Sequence, residues 1–189
     1  KCLKGIQNSE DSVWFLSYGD ELEVFSHYSN LLIEKFGQNT LKAGNVWSSW
    51  YTFFEDINAT DLKITINELK DLEIDVIQID DGWQKNIGDW SANEKFPEGM
   101  EEIAKYIKSK NKKAGLWVAP LICLAESEIA QKHPEWLLKD IDGNPVTAGY
   151  NWSTTYFTFD TTIKDFQNYL FNLFKQFKEW GFDYFKLDF

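Results

Sequence analysis

Cysteine is scarce in this chain of 189 residues, which has only Cys2 and Cys123. The two lie far apart, and neither belongs to a CxxC or Cys/His cluster. A disulfide framework or a zinc site is therefore not expected. Two isolated thiols suit a reducing compartment, so we expect a cytoplasmic protein.

Positive charge and long apolar runs are also in short supply. Lys and Arg number 19 against 30 Asp and Glu, which gives a formal net charge of -11. Nucleic-acid binding needs clustered cations to contact phosphates, so we expect no nucleic-acid partner. No apolar run approaches the roughly 18 residues of a membrane span, and we expect no membrane partner.

Aromatic residues, in contrast, are abundant: they make up 17% of the chain, and nine are Trp. The apolar faces of sugars stack on indole rings, so this composition fits carbohydrate binding. It fits an aromatic-rich core equally well. Composition alone therefore leaves both interpretations open.

From residue 44 onward, strand patterns alternate with helix patterns. Short runs of β-branched and aromatic residues predict four strands, at 44–50, 74–79, 114–119 and 182–189. Apolar residues at helical spacing predict helices that begin at Thr60, Pro97 and Thr161. The third of these is the strongest helix pattern, and it ends at Gly181.

Other segments precede or interrupt this alternation. An amphipathic helix is predicted over 20–36, ended by Gly37, and Val13–Leu16 reads as a further strand. A long excursion, about 121–160, is predicted to hold a short helix ending near His133 and a turn at Asp142-Gly143. We divide the chain into 1–43, a linker segment with its helix, and 44–189, which carries the alternation.

This alternation predicts an α/β fold with parallel strands joined by right-handed crossovers. A doubly wound sheet and a barrel both satisfy that rule. Two features favour the barrel: polar residues follow all four strands, and no Gly-rich phosphate loop follows the first. A complete (β/α)8 barrel needs eight strands and about 250 residues. The sequence therefore predicts a partial TIM barrel, strands 1–4 with their helices.

Polar and aromatic side chains gather at the predicted C-terminal ends of the strands. They are Trp50, Tyr51, Asp80, Asp81, Trp117, Lys186 and Asp188. Because the tips of parallel strands meet at one rim, we expect these residues to surround one site. Carboxylates that accept hydrogen bonds from hydroxyls, an ammonium donor and indole walls suit a neutral polyhydroxylated ligand.

Metal binding is the competing use of clustered Asp residues. We expect none, because no His accompanies them and Lys186, two positions before Asp188 on the same strand face, compensates its charge. Trp83, Trp90 and Trp152 fall in predicted loops, where we interpret them as candidates for outer sugar subsites.

Six segments resemble the α-galactosidases (melibiases) of glycoside hydrolase family 36, in the same order and with similar spacing. They read VWSSWYTFF, FEDINATDLKITINEL, VIQIDDGWQKNIGDW, GLWVAP, HPEWLLKDIDG and YFKLDF. The likeness covers roughly residues 44–189. Residues 1–43 resemble the segment that links the N-terminal β-sandwich of that family to its barrel. One such motif would be weak, whereas six in register are specific.

By this resemblance, Asp188 matches the catalytic nucleophile of the family, and Lys186 matches the lysine that holds a sugar hydroxyl beside it. The family's general acid/base aspartate comes from the sixth barrel strand and has no counterpart here. A retaining glycosidase needs both carboxyl groups, about 5–5.5 Å apart. The resemblance thus implies retaining hydrolysis of terminal α-D-galactosides through a glycosyl-aspartate intermediate, and we expect no useful turnover from this chain alone.

The resemblance also implies the substrate-binding residues. Asp80 and Asp81 match the carboxylates that hold the galactose 4- and 6-hydroxyls. Trp117 and the Trp50-Tyr51 pair match walls of the galactose pocket. The implied substrate is an α-galactoside of the raffinose or melibiose type, and the implied chemistry uses no metal or organic cofactor.

Three other interpretations stay open. Relatives of this family transfer galactose to sugar acceptors, and another relative acts on N-acetylgalactosamine. In the third interpretation, the chain is a non-catalytic half-barrel that self-associates. Ending at a fourth strand leaves sheet edges that an intact barrel would close, and exposed edges pair readily with another copy. A homo-oligomer is the expected result of such pairing.

Overall fold

A computed structural model describes residues 15–37 and 44–189 of the chain. The chain divides into two compact units, Lys1–Lys42 and Ala43–Phe189. The predicted strand Val13–Leu16 lies partly outside the described residues, and its described residues, Phe15 and Leu16, are not in a strand. None of the described helices is long and apolar enough to cross a membrane.

The first unit contains helix α1, Glu21–Phe36, where the sequence predicts it. The Asp20 side chain accepts the Leu22 N–H at 2.9 Å and so satisfies one of the free donors of the first turn. Gly37 ends the helix with φ 81°, and its N–H is donated to the Ile33 carbonyl. Capping residues therefore set both ends of this helix.

The second unit combines strands with helices along its whole length. In chain order its elements are β1 (Val46–Ser48), α2 (Trp50–Phe53), α3 (Ala59–Glu68), β2 (Val76–Ile79), β3 (Gln84–Asn86), β4 (Asp89–Ala92), α4 (Met100–Ser109), β5 (Lys113–Val118), β6 (Ile122–Leu124), α5 (Glu128–Lys132), β7 (Thr147–Asn151), β8 (Thr154–Thr158), α6 (Lys164–Trp180) and β9 (Tyr184–Leu187).

A four-stranded parallel sheet in the order β1-β2-β5-β9 forms the centre of this unit. Its register places Val46 opposite Val76, Ile77 opposite Ala114, and Trp117 opposite Lys186. Strand β2 is buried along its whole length, as expected of a parallel strand with both faces covered. The four strands are those that the sequence predicts, and they follow one another across the sheet in chain order.

Helices α3, α4 and α6 connect these strands, and all three begin at residues other than those predicted; α6 begins at Lys164 rather than at Thr161. Helix α3 is capped by Asn58 rather than Thr60, because the Asn58 side chain accepts the Asp61 N–H at 3.0 Å. Helix α4 begins after Gly99 and not at Pro97, which lies in a turn. Its buried residues, Met100, Ile103, Ala104 and Ile107, lie at helical spacing on one face.

Two antiparallel additions, both unpredicted, extend from the C-terminal ends of β2 and β5. Strands β3 and β4 form a hairpin after β2. Strands β6, β8 and β7 form a small sheet in that order within the excursion 121–160. The predicted short helix near His133 is α5, and the predicted turn is present, with the Gly143 N–H donated to the Asp140 carbonyl at 3.1 Å.

Aromatic residues fill much of the core beneath the sheet. Trp83 is fully buried, and its indole N–H donates to the Trp117 carbonyl at 3.0 Å. Trp90 is 5% exposed and packs against both indoles. A smaller second core contains Cys123, Trp136 and Phe166 under the excursion. Core packing therefore accounts for a large share of the aromatic content.

Candidate active site

The C-terminal ends of the four parallel strands bring the predicted polar residues to one rim. Asp80 and Asp81 follow β2 directly, Trp117 is the penultimate residue of β5, and Asp188 follows β9. The Asp188 N–H donates to the Val118 carbonyl at 3.1 Å, so the β5–β9 ladder continues to this carboxylate. Strand pairing thus fixes where the backbone carries each acid.

Asp80 is buried at the centre of this rim, with 1% of its surface exposed. Its Oδ2 accepts hydrogen bonds from the Ser48 hydroxyl at 3.1 Å, the Gln78 amide at 2.8 Å and the Lys186 ammonium at 2.9 Å. Its N–H donates to the Ser49 hydroxyl at 2.8 Å. A buried carboxylate needs such partners, and together they fix its orientation.

Lys186 connects Asp80 with Asp188. Its ammonium nitrogen lies 2.9 Å from Asp80 Oδ2 and 3.8 Å from Asp188 Oδ2. The sequence predicts Asp188 as the charge partner of Lys186, whereas the direct hydrogen bond in the structure goes to Asp80. Lys186 therefore holds the acids that follow β2 and β9, the two strands on either side of β5, around one positive charge.

Asp188 presents a partly open carboxylate. Its side chain is 42% exposed. Oδ2 accepts the indole N–H of Trp117 at 3.0 Å, and Oδ1 accepts the Phe189 N–H at 3.1 Å. The Trp117 ring itself is 2% exposed and packs in the core. These contacts orient the carboxylate and leave one side of it accessible.

Asp81 is buried and holds one donor on each oxygen. Oδ1 accepts the Gln84 amide at 2.6 Å, and Oδ2 accepts the indole N–H of Trp152 at 2.8 Å. Burial raises the pKa of Asp81, and the charge of Asp80 raises it further. The hydrogen bonds from Gln84 and Trp152 lower the pKa but do not cancel that rise.

Trp50 and Tyr51 lie at the start of α2, just beyond β1. Tyr51 is 85% exposed, and the half-buried Trp50 ring packs edge-on against Phe54 at 5.2 Å. The Trp50 N–H donates to the Ser48 hydroxyl at 3.4 Å, and that hydroxyl donates to Asp80. Within the described residues, no hydrogen bond joins either aromatic side chain to the rim carboxylates.

The sequence analysis missed three residues that hold the rim acids: Ser48, Gln78 and Gln84. Gln78 stands two positions before Asp80 and bonds it at 2.8 Å. Strand periodicity could have identified Gln78, because residues two apart share a face. The interpretation of Trp83 and Trp90 as outer-subsite residues is wrong, since both are buried in the core.

A cavity of about 190 Å³ opens beside Asp81. Glu55, Lys95 and Trp152 contribute to its lining. Burial and the nearby charge of Asp81 raise the pKa of Glu55. Within residues 15–37 and 44–189, no group of three or more His, Cys, Asp or Glu side chains could hold a metal ion. The arrangement offers acceptors and donors to a neutral, hydroxyl-rich ligand.

Comparison with known proteins identifies a matching family model and similar solved structures. A family model described as Melibiase matches residues 15–189. The structure of an α-galactosidase from Thermus thermophilus in complex with p-nitrophenyl α-D-galactopyranoside has a TM-score of 0.84 and 40% sequence identity. The match covers 93% of this chain and 36% of that one.

Two curated relatives show the same likeness in sequence. Alpha-galactosidase 1 of Pediococcus pentosaceus is 32% identical over 102 residues, 50% of this chain and 14% of the relative. The A type blood α-D-galactosamine galactosaminidase of Flavonifractor plautii is 36% identical over 160 residues, 76% of this chain and 14% of the relative. The chain thus spans about a seventh of each relative's length.

Proposed function

The chain belongs to the melibiase family, and we propose that it supplies strands 1–4 of a (β/α)8 α-galactosidase barrel. The four parallel strands follow chain order across the sheet, with a helix before each of the last three. A doubly wound sheet reverses its strand order at a switch point, and these four strands show no reversal. In this proposal, 44–189 is the first half of the barrel and 1–43 is the linker segment that precedes it.

The proposed reaction is the hydrolysis of terminal α-D-galactosides with retention of configuration. An oxygen of Asp188 attacks the anomeric carbon and forms a glycosyl-aspartate bond. The bond from that carbon to the leaving oxygen breaks, and a general acid supplies the proton. Water then hydrolyses the intermediate, with the same acid acting as base. The observation that carries this proposal is the partly open Asp188 carboxylate, held by Trp117 beside Lys186.

The proposed substrate-binding groups are Asp80, Asp81, Lys186, Trp117, Trp50 and Tyr51. Three donors already occupy Oδ2 of Asp80, whereas each oxygen of Asp81 holds one side-chain donor. A carboxylate has about four acceptor positions, so Asp81 has more capacity left for sugar hydroxyls. The Thermus thermophilus relative is also solved in complex with stachyose, which supports α-galactosides of the raffinose type as substrates.

Replacement of the nucleophile tests the reaction. In the complete enzyme that carries this chain, Asp188→Ala should lower kcat for an aryl α-galactoside by at least about 10³-fold. Added azide should restore turnover and yield the β-galactosyl azide, because azide can occupy the space of the lost carboxylate. Asp183→Asn is the control, since Asp183 pairs with Lys108 and Lys178 away from the rim. Unimpaired hydrolysis in Asp188→Ala would exclude this nucleophile.

We also propose that residues 1–189 alone have no useful activity. The general acid/base would come from elsewhere in the complete protein, and loss of such a group forfeits roughly 10²–10⁴ in rate. Measurable turnover by the purified chain would contradict this.

Two other functions have some support. The 36% identity with the Flavonifractor plautii enzyme, which is named for α-D-galactosamine, favours a test of α-D-galactosaminides together with the N-acetylgalactosaminides expected from the sequence. Profiling of the complete enzyme against galactosides, N-acetylgalactosaminides and sugar acceptors would separate these activities, including galactosyl transfer. Self-association of a non-catalytic half-barrel is supported by the exposure of Leu187 and Phe189, at 61% and 50%.

For localisation, we propose the cytoplasm. Cys123 is a buried free thiol, and burial raises its pKa to about 12. Such a thiol is inert and needs no oxidising compartment. Cell fractionation with an antibody against the chain would test this; recovery from an extracellular fraction would contradict it.

A further inference from the structure

The hairpin β7–β8 carries an aromatic residue at its tip in an uncommon backbone conformation. Trp152 and Ser153 connect the two strands with φ 48° and 58°. Two-residue hairpin loops with both residues in the left-handed region normally contain Asn or Gly, because a side chain is disfavoured there. A Trp at such a position requires compensation from its surroundings.

The compensation comes from Asp81 and two aromatic rings. The Trp152 indole N–H donates to Asp81 Oδ2 at 2.8 Å. Its ring lies 5.1 Å from the Phe189 ring and 5.9 Å from the Tyr156 ring, measured between centroids. The indole thus contacts both Asp81 and Phe189, the residue that follows Asp188.

The hairpin is itself attached to the central sheet. Strand β8 pairs with β6, with Cys123 opposite Phe157, and β6 follows β5 in the chain after Pro120 and Leu121. The Phe159 N–H donates to the Leu121 carbonyl at 3.0 Å. The tip of the hairpin is therefore held relative to the strands that carry the rim residues.

We propose that Trp152 is a positioning residue for Asp81, which orients that carboxylate toward a bound sugar. This inference rests on the proposed function, because it assigns Trp152 to the same galactoside site. The donors on Asp81 come from two sides: Gln84 fixes Oδ1 from the β3–β4 hairpin, and Trp152 fixes Oδ2 from β7–β8. Rotation of the carboxylate would break both bonds.

The indole N–H also affects the charge of Asp81. The carboxylates near Asp81 are Asp80 and Glu55, and the cations in the adjacent cavity are Lys85 and Lys95. Burial and Asp80 raise the pKa of Asp81, while the Trp152 hydrogen bond lowers it. Removal of that bond should raise the pKa further, so Asp81 would take up its proton at higher pH.

Trp152→Phe in the complete enzyme tests the proposal, because it keeps a ring and removes the N–H. KM for an aryl α-galactoside should rise by about 10-fold or more, the usual effect of losing a hydrogen bond to a charged group. The acid limb of kcat/KM should move to higher pH. Tyr156→Phe is the matched control from the same hairpin, since its hydroxyl makes no hydrogen bond among the described residues, and it should change neither quantity.

A second measurement does not depend on activity. In an NMR titration of the 189-residue chain, the indole signal that Trp152→Phe removes should shift as Asp81 titrates, and Asp81→Asn should abolish that shift. An indole signal insensitive to Asp81→Asn would overturn the proposal. So would a Trp152→Phe enzyme with the KM and pH profile of the control. If the wild-type enzyme does not hydrolyse α-galactosides, the proposed function fails, while the titration still reports whether this hydrogen bond exists.

Discussion

The Lys186 ammonium group has different consequences for its two carboxylate partners. It lies 2.9 Å from the buried Asp80 and 3.8 Å from the half-exposed Asp188. A buried charge that loses its partner is destabilising, whereas an exposed carboxylate can turn to water. The bond to Asp80 therefore stabilises the fold. The longer contact with Asp188 mainly changes the electrostatic potential at that carboxylate.

Lys186→Met should lower the free energy of unfolding by about 1.5–3 kcal/mol, the usual range for a hydrogen bond to a charged group. We do not expect the larger loss of a fully enclosed ion pair, because the Lys186 side chain is 39% exposed. Urea denaturation at neutral pH measures this change.

Lys105→Met is the control for this prediction. The Lys105 side chain is 58% exposed and pairs with Glu101 and Glu102 on the surface of α4. Its loss should change the free energy of unfolding far less than the loss of Lys186 does, because exposed ion pairs contribute little. Equal losses in the two variants would show that Lys186 has no special role in holding Asp80.

Asp81 should reduce stability at neutral pH. Its pKa in the folded protein is raised above the ordinary value of 3.8, mainly by burial, so the folded state binds this proton more tightly than the unfolded state. The resulting stabilisation is fully present below pH 3.8 and is lost as pH rises through the folded pKa. Asp81→Asn removes this titration and turns one of the two acceptors that face Gln84 and Trp152 into a donor. The free energy of unfolding of the wild type should therefore fall relative to that of the variant as pH rises from 3.8 toward 7.

Urea denaturation of this variant and the wild type from about pH 3 to pH 7 tests the sign. The stability of Asp81→Asn relative to the wild type should decrease as pH falls toward the ordinary pKa of the carboxyl. A relative stability that increases on acidification would mean that the folded state favours the charged form. Reduced stability at a functional acid is a common compromise in enzymes.

The rim acids, Lys186 and Trp117 could be predicted from the sequence, whereas Ser48, Gln78 and Gln84, which also hold these acids, were not. Asp80, Lys186 and Asp188 could be placed because strand ends and the two-residue period locate them. Trp83 and Trp152 could not be separated by pattern: both fall in loops, yet one is fully buried and the other donates to Asp81. That difference depends on contacts between segments distant in the chain, such as the 71 positions that separate Trp152 from Asp81.

At the scale of single elements, the residue at which a helix begins depends on which side chain accepts a free N–H of the first turn, and residue type alone does not identify it. Asn58 accepts the Asp61 N–H and also donates to the Asp61 carboxylate at 2.7 Å. Thr60, which the sequence favours as the cap, is an exposed residue inside α3. Both residue types suit a cap, and only the backbone path shows which one occupies that position.

Asn58→Ala should therefore lower the free energy of unfolding by about 1 kcal/mol. Thr60→Ala, two positions later in the same helix, should change it by less than about 0.5 kcal/mol. Urea denaturation of both variants decides between the two caps. A larger loss in Thr60→Ala would favour the cap predicted from sequence.

The elements that sequence reasoning missed are the short antiparallel ones. Strands β2 and β5 are nearly continuous apolar runs and were predicted, because burial on both faces leaves a strong signal. Strand β3 is three residues long and wholly polar, and β7 is five residues long and mixes polar with apolar positions. Their pairing depends on register with distant partners, which a local pattern does not contain.

At the scale of the whole molecule, the central sheet has two edges. Strand β9 pairs with β5 on one side and with no other described strand on the opposite side, and β1 is the other edge. Leu187, the last residue of β9, is 61% exposed. Unpaired strand edges bind other strands, whether from the remainder of a barrel or from a second copy of this chain.

The isolated chain should therefore self-associate, and its mass in light scattering should rise with concentration. Leu187→Lys should lower that mass at a given concentration, because a charged side chain at an edge opposes strand pairing. Ile141→Lys is the control, since Ile141 is fully exposed in a turn away from the β9 edge. A chain that stays monomeric at all concentrations, or an equal response to both substitutions, would show that the β9 edge does not drive association.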